Sequence, residues 1–130
     1  MTRSPHSLDK EFVVVSPEKH ATIERFDSTL YERLDRDYNG FKGHDLISCH
    51  EFDQDWSTWE IHPNGDETVI LLSGKVTFVL QLQEGNESVE LDAPGTYLIV
   101  PRNVWHTAKT SEKSRILFIT PGEDTRNREL

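Results

Sequence analysis

Trp59-Glu60-Ile61-His62-Pro63-Asn64-Gly65-Asp66-Glu67-Thr68-Val69-Ile70-Leu71-Leu72-Ser73-Gly74 is the stretch around which the chain is organised. Glu60 and His62 stand two apart in a β-like run, so their side chains leave the same face. Pro63 to Asp66 is turn chemistry: Gly65 tolerates a positive φ, and Asn64 and Asp66 can bond nearby backbone. Glu67 opens a second apolar run, Val69 to Leu72, which Ser73-Gly74 stops. A strand pair joined by that turn would bring Glu67 back beside Glu60 and His62. Two carboxylates and an imidazole would then converge, with room for a fourth group.

Downstream, Val76–Leu82 alternates as a half-buried strand, and Glu84-Gly85-Asn86-Glu87 reads as a hairpin turn returning through Ser88–Leu91. Ala93-Pro94-Gly95 turns into Tyr97–Val100, Pro101–Val104 forms a corner, and Trp105–Lys109 and Arg115–Thr120 complete the series. Pro121-Gly122 ends it, leaving residues 121–130 as a charged tail.

Upstream, Leu46–Phe52 and Ser57–His62 are strands, and Phe12–Val15 is a short β-branched strand stopped by Ser16-Pro17. Ile23, Phe26, Leu30, Tyr31, Leu34 and Tyr38 fit one helical face. Asp27-Ser28 favours a shorter helix running to about Tyr38, with His20–Phe26 extended ahead of it and Asn39-Gly40 ending it. Residues 1–10 are polar, aperiodic and expected to fray. Eight or nine short strands with closely spaced turns mean an all-β sandwich or barrel, and periodicity alone does not choose between them.

The 130 residues fit one domain, 1–130, with the N-terminal strand and helix in 11–40 and the barrel in about 45–120. The balance of 23 acidic against 14 basic residues, net −9, argues against nucleic acid or an anionic membrane as partner. Cys49 is the only cysteine, so no intrachain disulfide forms, and inert packing is its expected role. No apolar signal core or membrane-length run is present, so a soluble, cytoplasmic protein is expected.

The spacing Glu60-x-His62-x4-Glu67-x6-Gly74 resembles the first motif of the cupin superfamily, His-x-His-x(3–4)-Glu-x6-Gly. Gly95-x5-Pro101-x-Asn103-x2-His106 resembles the second, Gly-x5-Pro-x-Gly-x2-His. Glu60 stands where His is usual, and Asn103 where Gly is usual; Asn is the next-best residue for a left-handed turn position. The resemblance implies a small single-domain cupin: a double-stranded β-helix, or jelly-roll barrel, with a short N-terminal helical segment. It also implies four metal ligands, Glu60, His62, Glu67 and His106, holding a divalent transition metal such as zinc, iron, manganese or nickel.

Two carboxylates and two neutral imidazoles cancel a divalent charge, which permits burial. Without a metal, Glu60 and Glu67 would share a proton or pair with Lys75 or Arg102. By alternation Trp59 and Trp105 lie on the outer face; a stacking wall for substrate is the other reading. Tyr97, Phe78 and Leu80 are core or cavity residues, Arg102 a surface ion pair or a clamp for an anion, and His50 a candidate cavity residue.

The expected function is that of an enzyme acting on a small polar molecule, of dioxygenase, isomerase or lyase type, with Glu60 as catalytic base. The alternatives are a non-catalytic ligand-binding or metal- or redox-sensing module, and a metal-free remnant. A homodimer is expected, with Phe12–Val15 as the pairing element.

Overall fold

The computed structural model describes residues 4–130; residues 1–3, part of the stretch expected to fray, lie outside it. Eleven strands are present among the described residues. They are β1 (Glu11–Val15), β2 (Ala21–Arg25), β3 (Asp45–Phe52), β4 (Thr58–Ile61), β5 (Glu67–Ser73) and β6 (Val76–Leu82), followed by β7 (Gly85–Leu91), β8 (Tyr97–Val100), β9 (Trp105–Lys109), β10 (Ser114–Thr120) and β11 (Arg126–Glu129). They form a six-stranded sheet, β2-β1-β3-β10-β5-β8, facing a five-stranded sheet, β11-β4-β9-β6-β7. All pairings are antiparallel, so this is the expected jelly roll.

Alternation builds the core. Val69, Leu71, Ile116 and Phe118 of the first sheet meet Val76, Phe78 and Ala108 of the second. Phe78 and Leu80 are therefore packing residues, whereas Tyr97 is 64% exposed and is not among the residues lining the cavity between the sheets. A second cluster, Phe12, Val14, Leu46 and Phe41, packs under the single helix α1 (Leu30–Asp37) through Leu30 and Leu34. The helix is the shorter of the two expected. Asp27 organises its start: Oδ1 accepts from Thr29 N at 2.9 Å and Thr29 Oγ1 at 2.8 Å, and from Arg33 at 2.6 Å. Asn39 and Gly40, both at positive φ, turn the chain out of it.

Further expectations need correction. First, β4 and β5 are not a hairpin; the Pro63–Asp66 turn carries the chain from one sheet to the other. Second, Gly65 does not have a positive φ. A Cβ there would lie 2.8 Å from the Pro121 ring, so the glycine permits close approach instead. Third, the tail contains β11, which pairs with β4 from Arg126↔Ile61 to Glu129↔Thr58. Fourth, β1 lies between β2 and β3 with Phe12 and Val14 buried, so no open edge remains there for a second copy. Fifth, β7 begins at Gly85, opposite Leu82, so Gln83-Glu84 is the hairpin turn.

Residues 7–10 are tied down rather than frayed: Glu11 N donates to Ser7 O and Phe26 N to Lys10 O. Among the described residues, no helix is long and apolar enough to cross a membrane.

Candidate metal centre

The two loops that carry the sequence motifs are clasped by backbone. Asn103 N donates to His62 O at 3.0 Å, and Arg102 N donates to Asp66 Oδ1 at 2.8 Å. Asn103 adopts φ 62°, the left-handed position anticipated for it. Glu60 pairs with His106 across β4 and β9, His62 follows the end of β4, and Glu67 enters from β5 of the opposite sheet. Glu60, His62, Glu67 and His106 each offer one ligand atom, and these atoms lie within 4.8 Å of one another. His62, Glu67 and His106 are buried, while the Glu60 side chain is 29% exposed.

Hydrogen bonds around the cluster assign its lone pairs. Thr125 Oγ1 donates to Gly122 O at 2.9 Å, which leaves it only as acceptor for His62 Nδ1 at 2.8 Å. His106 Nδ1 donates to Val104 O at 3.1 Å. Both imidazoles thus hold a proton on Nδ1 and turn Nε2 to the centre. Thr120 Oγ1 donates to Glu67 Oε2 at 2.6 Å, leaving Oε1 for the centre.

His62 Nε2 lies 2.8 Å from Glu60 Oε1 and 3.4 Å from Glu67 Oε2, and His106 Nε2 lies 3.1 Å from Glu67 Oε1. Yet His62 Nε2, Glu67 Oε1 and His106 Nε2 form no hydrogen bond of acceptable geometry, although all three are buried. The three atoms converge on a shared point without bonding one another. Orphaned buried polar atoms cost about 1–3 kcal/mol each, and a cation at that point would satisfy all three. Two imidazole nitrogens and two carboxylates suit zinc, iron, manganese or nickel, so the donor set fits the implied metal.

Burial pushes the His62 imidazole down, but the Glu60 and Glu67 carboxylates outweigh it and raise the group to about 9. Burial pushes the Glu67 carboxyl up, and the two histidines outweigh it and lower the group to about 2. Neither carboxylate meets a lysine or arginine among the described residues. Lys75 instead lies 3.6 Å from Glu90, and Arg102 uses its backbone rather than its guanidinium, making no ion pair among the described residues.

The cluster opens into a cavity of about 570 Å³ between the sheets, under α1. Tyr31, Leu34 and Asp35 face it from one side of the helix. His50, a candidate cavity residue in the sequence, lines it edge-on to Phe12, Phe26 and Phe118, and burial lowers its imidazole from the ordinary value. Trp56, whose role the sequence left open, is the aromatic wall, 6.3 Å between ring centroids from His106. Trp59 and Trp105 are on the outer face, where Arg128 lies 5.8 Å and 4.4 Å from their ring centroids. Cys49 is buried, its thiol pushed up by burial, in keeping with a packing role.

Sequence reasoning missed Thr120, Thr125 and Asn127. Thr120 continues the inward face of Ile116 and Phe118 and was findable by alternation; the other two sit in the segment read as a tail.

No family model matches the chain. Over 126 residues it is 27% identical to acireductone dioxygenase of Bacillus subtilis, spanning 92% of this chain and 69% of that one. A cupin-2 domain protein of Shewanella frigidimarina superposes with TM-score 0.51 at 21% identity, over 59% of this chain and 70% of that one. Hydroquinone 1,2-dioxygenase of a Sphingomonas species, with 4-hydroxybenzoate bound, superposes with TM-score 0.51 at 15% identity, over 58% of each chain. The structural likeness is one of fold, and the fold is that of a small cupin.

Proposed function

We propose that this chain, which has the fold of small cupins, is a metal-dependent enzyme acting on a small molecule bound in the cavity beside Glu60, His62, Glu67 and His106. The observation that carries the reading is the convergence of three buried atoms without hydrogen-bond partners, His62 Nε2, Glu67 Oε1 and His106 Nε2. The likeness to acireductone dioxygenase agrees with it. A bound divalent ion would supply Lewis acidity toward a substrate oxygen.

The chain's own residues supply the rest. Thr125, Val104 and Thr120 hold both imidazoles and Glu67 in one orientation, so the ligand set is preorganised. Trp56 and Phe118 keep the inner cavity apolar, which strengthens charge interactions there. Glu60 is the group of the cluster that reaches solvent-accessible cavity, and we assign it the proton-transfer role.

The test is elemental analysis of protein purified without chelator, together with Glu60→Ala and His106→Ala. About one transition metal per chain, lost in His106→Ala and weakened in Glu60→Ala, is expected. Absence of metal after reconstitution, with both variants as stable as the parent, would defeat the proposal.

A further inference from the structure

The cavity has a charge pattern that its fold does not demand. Its lining contains four carboxylates, Asp35, Glu60, Glu67 and Asp124, and no lysine or arginine. Cations are available close by but are turned away. On β11, Asn127 lines the cavity while Arg128 lies over Trp59 and Trp105 on the outer face, and alternation sends Arg126 the same way. On α1, Tyr31, Leu34 and Asp35 face inward, whereas Arg33 is held outside by Glu24 and Asp27, and Arg36 by Asp37.

A divalent ion would neutralise Glu60 and Glu67. Asp35 and Asp124 would remain at the mouth, exposed and without ion-pair partners among the described residues. The rings of Tyr31, Phe41, Trp56 and Phe118, with the half-buried His50, line the same cavity. At the inner end, the same cavity meets the unpartnered, buried His62 Nε2 and Glu67 Oε1. Inner donor atoms, aromatic walls and an acidic mouth are three separate demands on one occupant.

We infer that the cavity selects a small amine: an ammonium group between Asp35 and Asp124, an apolar body against the rings, and an oxygen-bearing end at the Glu60–His106 cluster. Carboxylates and aromatic rings both favour an ammonium ion at the mouth, while a substrate carboxylate held there would meet like charge with no lysine or arginine in the lining to receive it. The inference rests on the metal-enzyme reading for the orientation of the ligand, and on the lining alone for its charge.

Three catechols that share the metal-seeking diol and differ in charge test it: dopamine, catechol and protocatechuate. Their binding to zinc-reconstituted protein is measured anaerobically by calorimetry, with zinc content determined on the same samples. Dopamine is expected to bind at least about tenfold tighter than protocatechuate, with catechol between them. The double variant Asp35→Asn, Asp124→Asn should level the order without loss of zinc.

Protocatechuate binding as tightly as dopamine, an order unchanged in the double variant, or binding by none of the three would overturn the inference. Zinc bound with the carboxylate preferred sinks the amine inference alone. An ammonium preference in protein that takes up no zinc upholds the charge selection and sinks the metal reading alone.

Discussion

Thr125 accepts the Nδ1 proton of His62 at 2.8 Å because its own hydroxyl proton is committed to Gly122 O at 2.9 Å. That single direction fixes which imidazole nitrogen faces the centre. Thr125→Val keeps the shape and removes the acceptor, so His62 loses its preferred ring orientation. Metal affinity is expected to fall about 10- to 100-fold, measured by competition with a chromophoric chelator. Far-UV circular dichroism should be unchanged, since Thr125 precedes β11 and belongs to neither core cluster. Unaltered affinity would show that Thr125 does not act through His62.

Protons and metal compete for His62 Nε2. The folded group titrates near about 9 against an ordinary 6.5, its carboxylate neighbours outweighing burial. A raised value stabilises the metal-free fold fully below 6.5, and the contribution is lost as pH rises through about 9. Glu67, lowered from 4.5 to about 2, stabilises fully above 4.5 and loses that contribution as pH falls toward 2. Metal-free protein should therefore be most resistant to urea between about pH 5 and 6.5, and weaken on both sides. Metal uptake at pH 7.5 should release about one proton, read by calorimetry in two buffers of different ionisation heat. Affinity that does not rise between pH 6 and 8 would contradict the assignment.

How much of this was legible depends on range. Strand alternation and turn chemistry, acting over a few positions, brought Glu60, His62 and Glu67 together, whereas His106 entered the set through the resemblance of the second motif. Asn103 at φ 62° shows the same local control. The partner sheet of β5, the contact of Gly65 with Pro121 and the role of Thr125 depend on segments tens of residues apart. β11 was illegible for a further reason: Arg126–Glu129 has no apolar face and all four residues are exposed. It is a strand because β4 offers it an edge.

Gly74, the last residue of the first motif, is required sterically. It adopts φ +83°, and a Cβ there would approach Lys113 O and the Ser114 Cα to 2.6 Å. Ser114 cannot move away, because its Oγ is fully buried and bonded to the backbone of Lys75. Gly74→Ala should cost about 2–4 kcal/mol. Gly95→Ala, at φ +90° but facing open space, should cost only about 1–2 kcal/mol of backbone strain. Urea denaturation of the two variants separates contact from conformation, and equal costs would mean that the Ser114 contact is relieved.

The C-terminal strand gives a sharper division between fold and site. Neither core cluster includes a residue beyond Phe118, so removal of residues 123–130 leaves both intact. The losses are the β4–β11 pairing, the bonds of Asn64 Nδ2 to Glu123 O and of Gly43 N to Glu123 Oε1, the Arg128 bond to Gln81 and its cover over Trp59 and Trp105, and Thr125. Unfolding should stay cooperative with a loss of about 1–3 kcal/mol, and tryptophan emission should shift to the red as the two outer indoles meet water. Metal affinity should fall at least as far as in Thr125→Val, because the same acceptor is gone and the cavity has lost one wall. A truncated protein that keeps parental affinity would mean that His62 is oriented by the Asn103 clasp alone, and that β11 serves only to cover the open edge of β4.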